Sequence, residues 1–156
     1  MIIFYFLIWT LLLYGIHRLI HVLPVVRKFH EHHHKHILQH GNPGYHWTNL
    51  LLINTDWKST LDLWITEVLP TLMFSYIFQD YTLFIFYWIW ASLLQEKLEH
   101  NPGVDVYPIT TGSWHLKHHY NPQCNYGLFI PVWDKLFQTE KSKPRWWNGR
   151  HASLRN

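Results

Sequence analysis

Histidines occur in three short clusters with the spacing of metal ligands. The clusters fall at residues 17–21, 30–34 and 115–119. Their histidines stand at i and i+4 in the first cluster and at i, i+3 and i+4 in the other two, so the members of a cluster share one face of a helix. We expect the imidazoles of each cluster to converge on one point. The candidate ligands are His17, His21, His30, His33, His34, His115, His118 and His119.

The chemistry that suits these side chains is that of iron, zinc or copper, because imidazole is a ligand for all three metals. Eight imidazoles are too many for one ion and about right for two ions with open positions. Neutral donors leave the positive charge of a metal largely uncompensated, which favours the binding of anions derived from O2. An isolated HxxxH pair or one histidine-rich tract is a weak signal. The HxxHH spacing of residues 30–34 occurs again at residues 115–119. This repetition favours a specific metal site over a chance cluster.

The remaining histidines do not match these spacings, and we predict that they lie on the surface or in loops. They are His32, His36, His40, His46 and His151.

The elements that must position the clusters look like membrane helices. Hydrophobic residues make up 48% of the 156 residues and aromatic residues 18%, which is more than a soluble core uses and is typical of a membrane–water interface. Residues 1–16 are an unbroken apolar run with neither the basic start nor the small-residue cleavage site of a signal peptide. We predict an uncleaved membrane helix over about 1–23, ended by the break expected before Pro24.

A second apolar segment, about 61–95, is predicted to form a helical hairpin. It carries no Lys or Arg up to residue 94 and is interrupted by Gln79 and Asp80, where we place the turn. Whether this hairpin crosses the bilayer twice or enters and returns, the chain leaves on the side that it entered. The three histidine clusters can therefore meet on one face of the membrane.

The basic residues predict which side of the membrane carries the histidine clusters. The basic residues that flank the apolar segments all lie on the same side of the membrane as the histidine clusters. By the positive-inside rule, this side is cytoplasmic. These residues are Arg18, Arg27, Lys28, Lys35, Lys58, Lys97, Lys117 and the basic residues of the tail 140–156. In that tail, Trp146 and Trp147 are predicted to lie near the headgroups. The whole is predicted to be an all-α integral membrane protein with a single domain over 1–156.

Charge and cysteine content limit the other partners. The net charge of +3 comes from scattered basic residues that form no stripe, so we expect no nucleic-acid partner. The single cysteine, Cys124, excludes an intramolecular disulfide and fits a reducing compartment.

The order HxxxH, HxxHH, HxxHH around a membrane hairpin resembles the fatty acid hydroxylase/sterol desaturase superfamily of membrane di-iron oxygenases. "HRLIH" followed by "RKFHEHHH" looks like the first two histidine boxes of that superfamily, and "NYGLFIPVWDKLFQT" (125–139) is similar to its NYG…WDRLFGT ending. The resemblance implies two iron ions, O2 as cosubstrate and a lipid substrate in the membrane. It also implies external electrons from cytochrome b5, a ferredoxin or a reductase, since the chain has no GxGxxG or HPGG motif.

The resemblance adds residues to the candidate site. "EKLEHNPG" (96–103) is similar to a segment that supplies another ligand in the superfamily, here His100, with Glu96 four residues earlier. Glu96 is a ligand, an acceptor that fixes an imidazole, or a helix-surface charge. Tyr126 and Asp134 are expected to order the third cluster and not to bind metal. Aromatic residues of the hairpin are the predicted walls of a substrate channel, namely Trp64, Phe74, Phe86 and Trp90.

Several alternatives stay open from the sequence. Hydroxylation and desaturation begin with the same hydrogen abstraction, and we favour hydroxylation because the closest motifs resemble members that mostly insert oxygen. Acyl lipids, sterols and carotenoids are all substrates within the superfamily. A metal transporter would need ionisable residues inside the spans, where only Glu67 and Asp80 are candidates. A bis-histidine cytochrome would need single histidines on facing helices, not HxxHH boxes.

Overall fold

The chain is all-helical, as predicted. A computed structural model describes residues 2–41 and 44–141, and within them it contains six α-helices, one 3-10 helix and no strand. The elements are α1 (Ile2–Ile20), α2 (Pro24–His40), the 3-10 helix Trp47–Leu51, α3 (Trp57–Phe78), α4 (82–98), α5 (Ser113–Tyr120) and α6 (Val132–Leu136). Most of the predicted basic tail, with Trp146, Trp147 and His151, lies outside the described residues, so its orientation stays a prediction.

Among the described residues, two helices are long and apolar enough to cross a membrane. They are α1 and α3. Large apolar side chains on both helices face outward, among them Phe4 at 64% and Ile77 at 67% exposure. A water-soluble protein rarely exposes so continuous an apolar surface, whereas a bilayer solvates it. The chain is therefore a helical membrane protein.

A sharp reversal joins α1 to α2 and brings the first two histidine clusters together. The first helix ends at Ile20, slightly before the predicted limit, and Pro24 opens α2 at a position where its missing N–H costs no hydrogen bond. His17 and His21 at the end of α1 consequently face the first two turns of α2.

The predicted hairpin is formed by α3 and α4. Gln79 adopts a left-handed conformation with φ 52°, and Asp80 N donates to Ser75 O, so the chain turns where the sequence predicted. Each arm contains a π-helical turn, at Trp64–Val68 in α3 and at Trp90–Gln95 in α4. Such turns change which side chains point inward and are common at functional sites.

The core lies between α1, the hairpin and the segment after α5. Trp9 is fully buried, its ring centroid is 4.7 Å from that of Phe129, and its Nε1 donates to Thr71 Oγ1 at 2.9 Å. Truncating so large a buried side chain to alanine costs about 3–5 kcal/mol. This packing holds the hairpin against α1 and so fixes the frame on which the histidine-bearing segments sit.

Candidate metal centre

The nine histidines predicted as ligands lie together in two adjoining groups. Within each group the ligand atoms are within 4.8 Å of one another. Group A contains His17, His21, His30, His34 and His118, and group B contains His33, His100, His115 and His119. The groups touch where the His34 and His119 rings stack with centroids 4.3 Å apart. The nine imidazoles thus come from both ends of the sequence to one place.

The expectation that each HxxHH cluster converges on one point is wrong. The i and i+4 histidines of α2, His30 and His34, belong to group A, while the i+3 residue His33 belongs to group B. In α5 the assignment is reversed, because His118 joins group A. At about 100° per residue, position i+3 lies about 60° to one side of i, and i+4 about 40° to the other. Each helix therefore serves both groups, and the boxes interlock.

The hydrogen bonds of group A turn ring nitrogens toward one another, where they could hold a cation. His17 Nδ1 lies 2.8 Å from the carbonyl oxygen of Tyr126, which can only accept, so Nδ1 carries the proton and Nε2 of the neutral ring is bare. His30 Nδ1 lies 3.0 Å from both carboxylate oxygens of Asp62, so Nδ1 carries a proton and Nε2 points away from the carboxylate. Yet the two Nε2 atoms are 3.0 Å apart. Two nitrogens at this distance share either a proton or a metal ion, because two bare lone pairs would repel each other.

The distances also suit a metal. Nitrogen ligands at about 2.1 Å from one ion and at right angles to each other are separated by about 3.0 Å. His34 Nε2 is 3.0 Å from His30 Nε2, and His21 Nε2 is 3.0 Å from His118 Nε2. In group B, His119 Nε2 lies 3.0 Å from His115 Nε2. The donor set and its spacing fit a metal ion in each group.

Group B has fewer partners that orient its rings. The Nδ1 atoms of His115 and His119 are buried without a hydrogen bond, and neither ring nitrogen of His100 has one. The nearest carboxylate oxygen is Glu96 Oε2, 3.9 Å from His100 Nδ1, which is too long for a hydrogen bond. Burial raises the pKa of Glu96 to about 7. Glu96 therefore stands beside the ring and does not fix it.

A short loop after α5 orients two of the group A rings through its backbone. His118 Nδ1 donates to Cys124 O at 2.8 Å, as His17 does to Tyr126 O. Asp134 at the start of α6 anchors this loop, because its carboxylate accepts from Tyr126 N at 2.8 Å and Gly127 N at 2.7 Å. Tyr126 and Asp134 thus lie behind the group A rings, Tyr126 against His17 of the first cluster; that they order the third cluster stays a prediction.

The beginning of α5 is fixed by backbone geometry. Gly112 has φ 59°, and a Cβ atom on it would collide with the Val104 carbonyl group. Its N–H donates to Leu98 O at 3.0 Å, which joins the start of α5 to the end of α4. This junction brings His100 and His115 to ring centroids 5.0 Å apart. Only glycine satisfies both the angle and the close approach.

Asp62 is the residue of this site that the sequence analysis missed. It lies in the first turns of α3, is 7% exposed, and receives hydrogen bonds from His30 and from Thr66 Oγ1 at 3.2 Å. A carboxylate near the start of an apolar span was the available signal, since such a charge is kept in a membrane helix only for a partner. The sequence analysis named two other ionisable residues inside the predicted spans, Glu67 and Asp80. Glu67 is buried, whereas Asp80 accepts a hydrogen bond in the hairpin turn at the surface.

Burial keeps seven of the imidazoles outside the membrane helices neutral. It lowers the pKa of His21 and His33 to about 4 and that of His115 to about 3, with smaller contributions from neighbouring charged groups. The pKa values of His34, His100, His118 and His119 are lowered well below the usual range, again chiefly by burial. At neutral pH these rings are unprotonated and available to a metal.

A small polar cavity of about 30 Å³ adjoins both groups. His17, His30, His33, His100 and His115 line it on one side, and the two π-helical turns line it on the other with Glu67 and Gln95 among their residues. Gln95 Nε2 donates to Glu67 Oε1 at 3.1 Å and to Glu99 Oε2 at 3.0 Å. Buried carboxylates therefore stand next to the metal centre.

The four aromatic residues predicted to line a substrate channel lie outside groups A and B. Phe74 and Trp90 are packed in the core, and Trp64 packs against it with Nε1 bonded to Leu52 O at 2.9 Å. Phe86 is 43% exposed and lines an apolar pocket of about 350 Å³ together with residues of the start of α1. That these four residues form a substrate channel stays a prediction.

The described histidines that were predicted to lie outside the site are not members of groups A or B, and their surroundings differ. His46 caps the 3-10 helix through Nδ1, and His40 is exposed at the end of α2. His32 and His36 are half-buried on the outer face of α2, where they form a third group with Asp56.

Comparison with known proteins agrees with this geometry. The sequence profile described as fatty acid hydroxylase matches residues 2–139, which is most of the chain. Searches of curated proteins and of solved structures gave no match. The profile match spans α1 to the segment after α6 and includes every histidine of groups A and B. Membership indicates an oxidoreductase of the hydroxylase type, and the chain belongs to the fatty acid hydroxylase/sterol desaturase superfamily.

Proposed function

We propose that this protein is an O2-dependent lipid hydroxylase in which groups A and B each hold one iron ion. The single observation that carries the proposal is the pair of nitrogens His17 Nε2 and His30 Nε2, held 3.0 Å apart by proton acceptors behind each ring. Such an arrangement places two nitrogen donors at the spacing of ligands of one bound cation. The family supplies the choice of iron.

Two iron ions held in this way would supply reduction of O2 and oxidation of an unactivated C–H bond. The balanced reaction takes a C–H group, O2, two electrons and two protons to a C–OH group and water. The electrons come from a separate donor in this proposal, either cytochrome b5, a ferredoxin or a reductase, because the sequence contains no nucleotide or haem motif. The active site would face the cytoplasm, where such donors are found.

The protein's own residues hold and shield the centre. Tyr126 O, Cys124 O and Asp62 each take an Nδ1 proton, which turns the Nε2 atom of the ring toward the metal position. Full burial of His17 and His118 keeps bulk water from the ions. The polar cavity beside the groups offers room for a small ligand of the size of O2.

A lipid is the substrate class that the architecture favours. The helices that carry the centre expose their apolar side chains along α1 and the hairpin, so a molecule dissolved in the bilayer meets this protein directly. The groups lie at one end of these helices, because His17 stands near the end of α1 and Asp62 near the start of α3. An acyl chain entering from the bilayer would reach the centre at that end.

The proposal is tested with the full chain reconstituted in lipid vesicles with iron, a reductase system and 18O2. Incorporation of 18O into a lipid alcohol, detected by mass spectrometry, is the expected result. A His118→Ala variant should give none, while His46→Ala should match the unmodified chain. An unlabelled alkene as the main product would show desaturation at the same centre. Absence of any oxidised lipid, with the iron bound, would contradict the proposal.

A further inference from the structure

A third group of potential metal ligands lies on the outer face of α2. It consists of His32, His36 and Asp56, whose ligand atoms are within 4.8 Å of one another. His32 and His36 are separated by one helical turn. Around the helix they lie about 120–200° from His30 and His34 and about 60–100° from His33, and their ligand atoms form a group distinct from groups A and B. The third group is therefore spatially separate from the proposed catalytic centre.

Asp56 is held in place before any cation binds. It is the N-cap residue of α3, and its Oδ1 accepts from Lys58 N at 2.9 Å and from Ser59 N at 3.0 Å. His32 Nε2 lies 3.2 Å from the same oxygen. The other oxygen, Oδ2, is buried and has no hydrogen-bond partner. A buried carboxylate oxygen without a partner is unfavourable, and a bound cation would satisfy it.

We propose that His32, His36 and Asp56 form a peripheral binding site for a divalent cation of the zinc class. Two imidazole nitrogens and one carboxylate oxygen, with water as a fourth ligand, make a set that Zn²⁺ accepts readily. Magnesium and calcium prefer oxygen ligands and fit the site poorly.

This site differs from groups A and B in charge and access. Asp56 provides an anionic ligand, which compensates part of the charge of the cation, whereas groups A and B offer only neutral nitrogens. The side chains of His32 and Asp56 are 35% and 26% exposed, so the ion can exchange with solvent. These properties suit a structural or sensing ion and not a shielded oxidising centre.

The cation would connect the same two helices that meet at group A. On the inner side, α2 and α3 are joined by the contact of His30 with Asp62. On the outer side, the proposed ion would join His32 and His36 of α2 to Asp56 at the start of α3. A ligand that binds only the folded arrangement stabilises it by mass action. Occupation of the outer site should therefore hold α2 in the position that groups A and B require.

The test is zinc binding by the full chain, freed of any affinity tag, stripped of metal in detergent and then dialysed against buffered Zn²⁺. Three zinc ions per chain are expected for the unmodified protein, because Zn²⁺ also fills groups A and B. His36→Ala and Asp56→Asn should each bind two. Asparagine is also a good N-cap residue, so Asp56→Asn keeps the cap and loses the anionic ligand.

Controls separate this proposal from that for groups A and B. His46→Ala is the matched control and should still bind three ions; His40 is unsuitable because its ring is 4.9 Å from that of His36. His118→Ala should lose zinc from group A while a further His36→Ala change removes one more ion. Zinc should raise the melting temperature of His118→Ala by several degrees and do so less in the double variant. Equal zinc content in His36→Ala, Asp56→Asn and the unmodified chain would overturn the proposal.

Discussion

Replacing Asp62 with asparagine tests how the protein orients its metal ligands. Asp62 is buried, and each of its carboxylate oxygens lies 3.0 Å from His30 Nδ1. The carboxylate therefore fixes the ring and makes its Nε2 a stronger ligand for a metal. Asparagine keeps the volume and removes the charge. Loss of such an acceptor typically weakens metal binding by about 10–100-fold, which corresponds to roughly 1.4–2.7 kcal/mol.

The assay is competition for the metal against a chelator of known affinity, with the protein in detergent at fixed pH. Asp80→Asn is the control, because it makes the same chemical change at the hairpin surface, where one oxygen accepts from Thr82 N. Thermal unfolding of both metal-free variants checks that the fold is intact. If Asp62→Asn, while folded, holds metal within about twofold of Asp80→Asn, the argument that Asp62 orients His30 is refuted.

Three further predictions follow from the same geometry. His34→Ala should lower bound metal and abolish activity because it removes a ligand of group A, whereas His46→Ala should retain both; equal losses would contradict the assignment of the groups. Asp134→Asn should destabilise the protein by roughly 2–4 kcal/mol in chemical unfolding, since hydrogen bonds to a charged group are worth about 1.5–3 kcal/mol each, and a change below about 0.5 kcal/mol would show that it does not anchor the loop. The metal-free protein should lose stability as the pH falls from about 6.5 toward 4, because burial holds the folded-state pKa of His21 and His33 at about 4, so at these rings the unfolded chain takes up protons in this window and the folded chain does not; the carboxyl group of Glu96, with its pKa raised to about 7, acts in the opposite direction but is a single group. A flat melting temperature across this window would contradict the assignment of buried neutral rings.

Much of the fold was predictable from the sequence because apolar runs and turn residues act locally. The helix at the N-terminus, the hairpin and its turn at Gln79 all follow from hydrophobicity and chain breaks. The histidine spacing likewise predicted eight of the nine imidazoles that come together, and the family resemblance added His100. It did not predict how they divide, because the split of His33 from His30 and His34 depends on what packs on each side of α2.

The supporting contacts were less accessible to sequence analysis. The acceptors of His17 and His118 are backbone carbonyl groups, which carry no residue signature and depend on the path of the loop after α5. Asp62 and Asp56 were overlooked since each is a single carboxylate without a spacing pattern. Their roles depend on the contact between α2 and α3, which only the tertiary structure reveals.

The measurement that tests the central claim most directly is the iron content of the purified full chain, determined together with its absorption spectrum. The two groups of buried neutral imidazoles predict two iron ions per chain and no Soret band, and His118→Ala should hold less iron under the same conditions. Protein that is folded and supplied with Fe²⁺ yet binds less than one iron ion per chain, or that binds haem, would contradict the proposed di-iron centre.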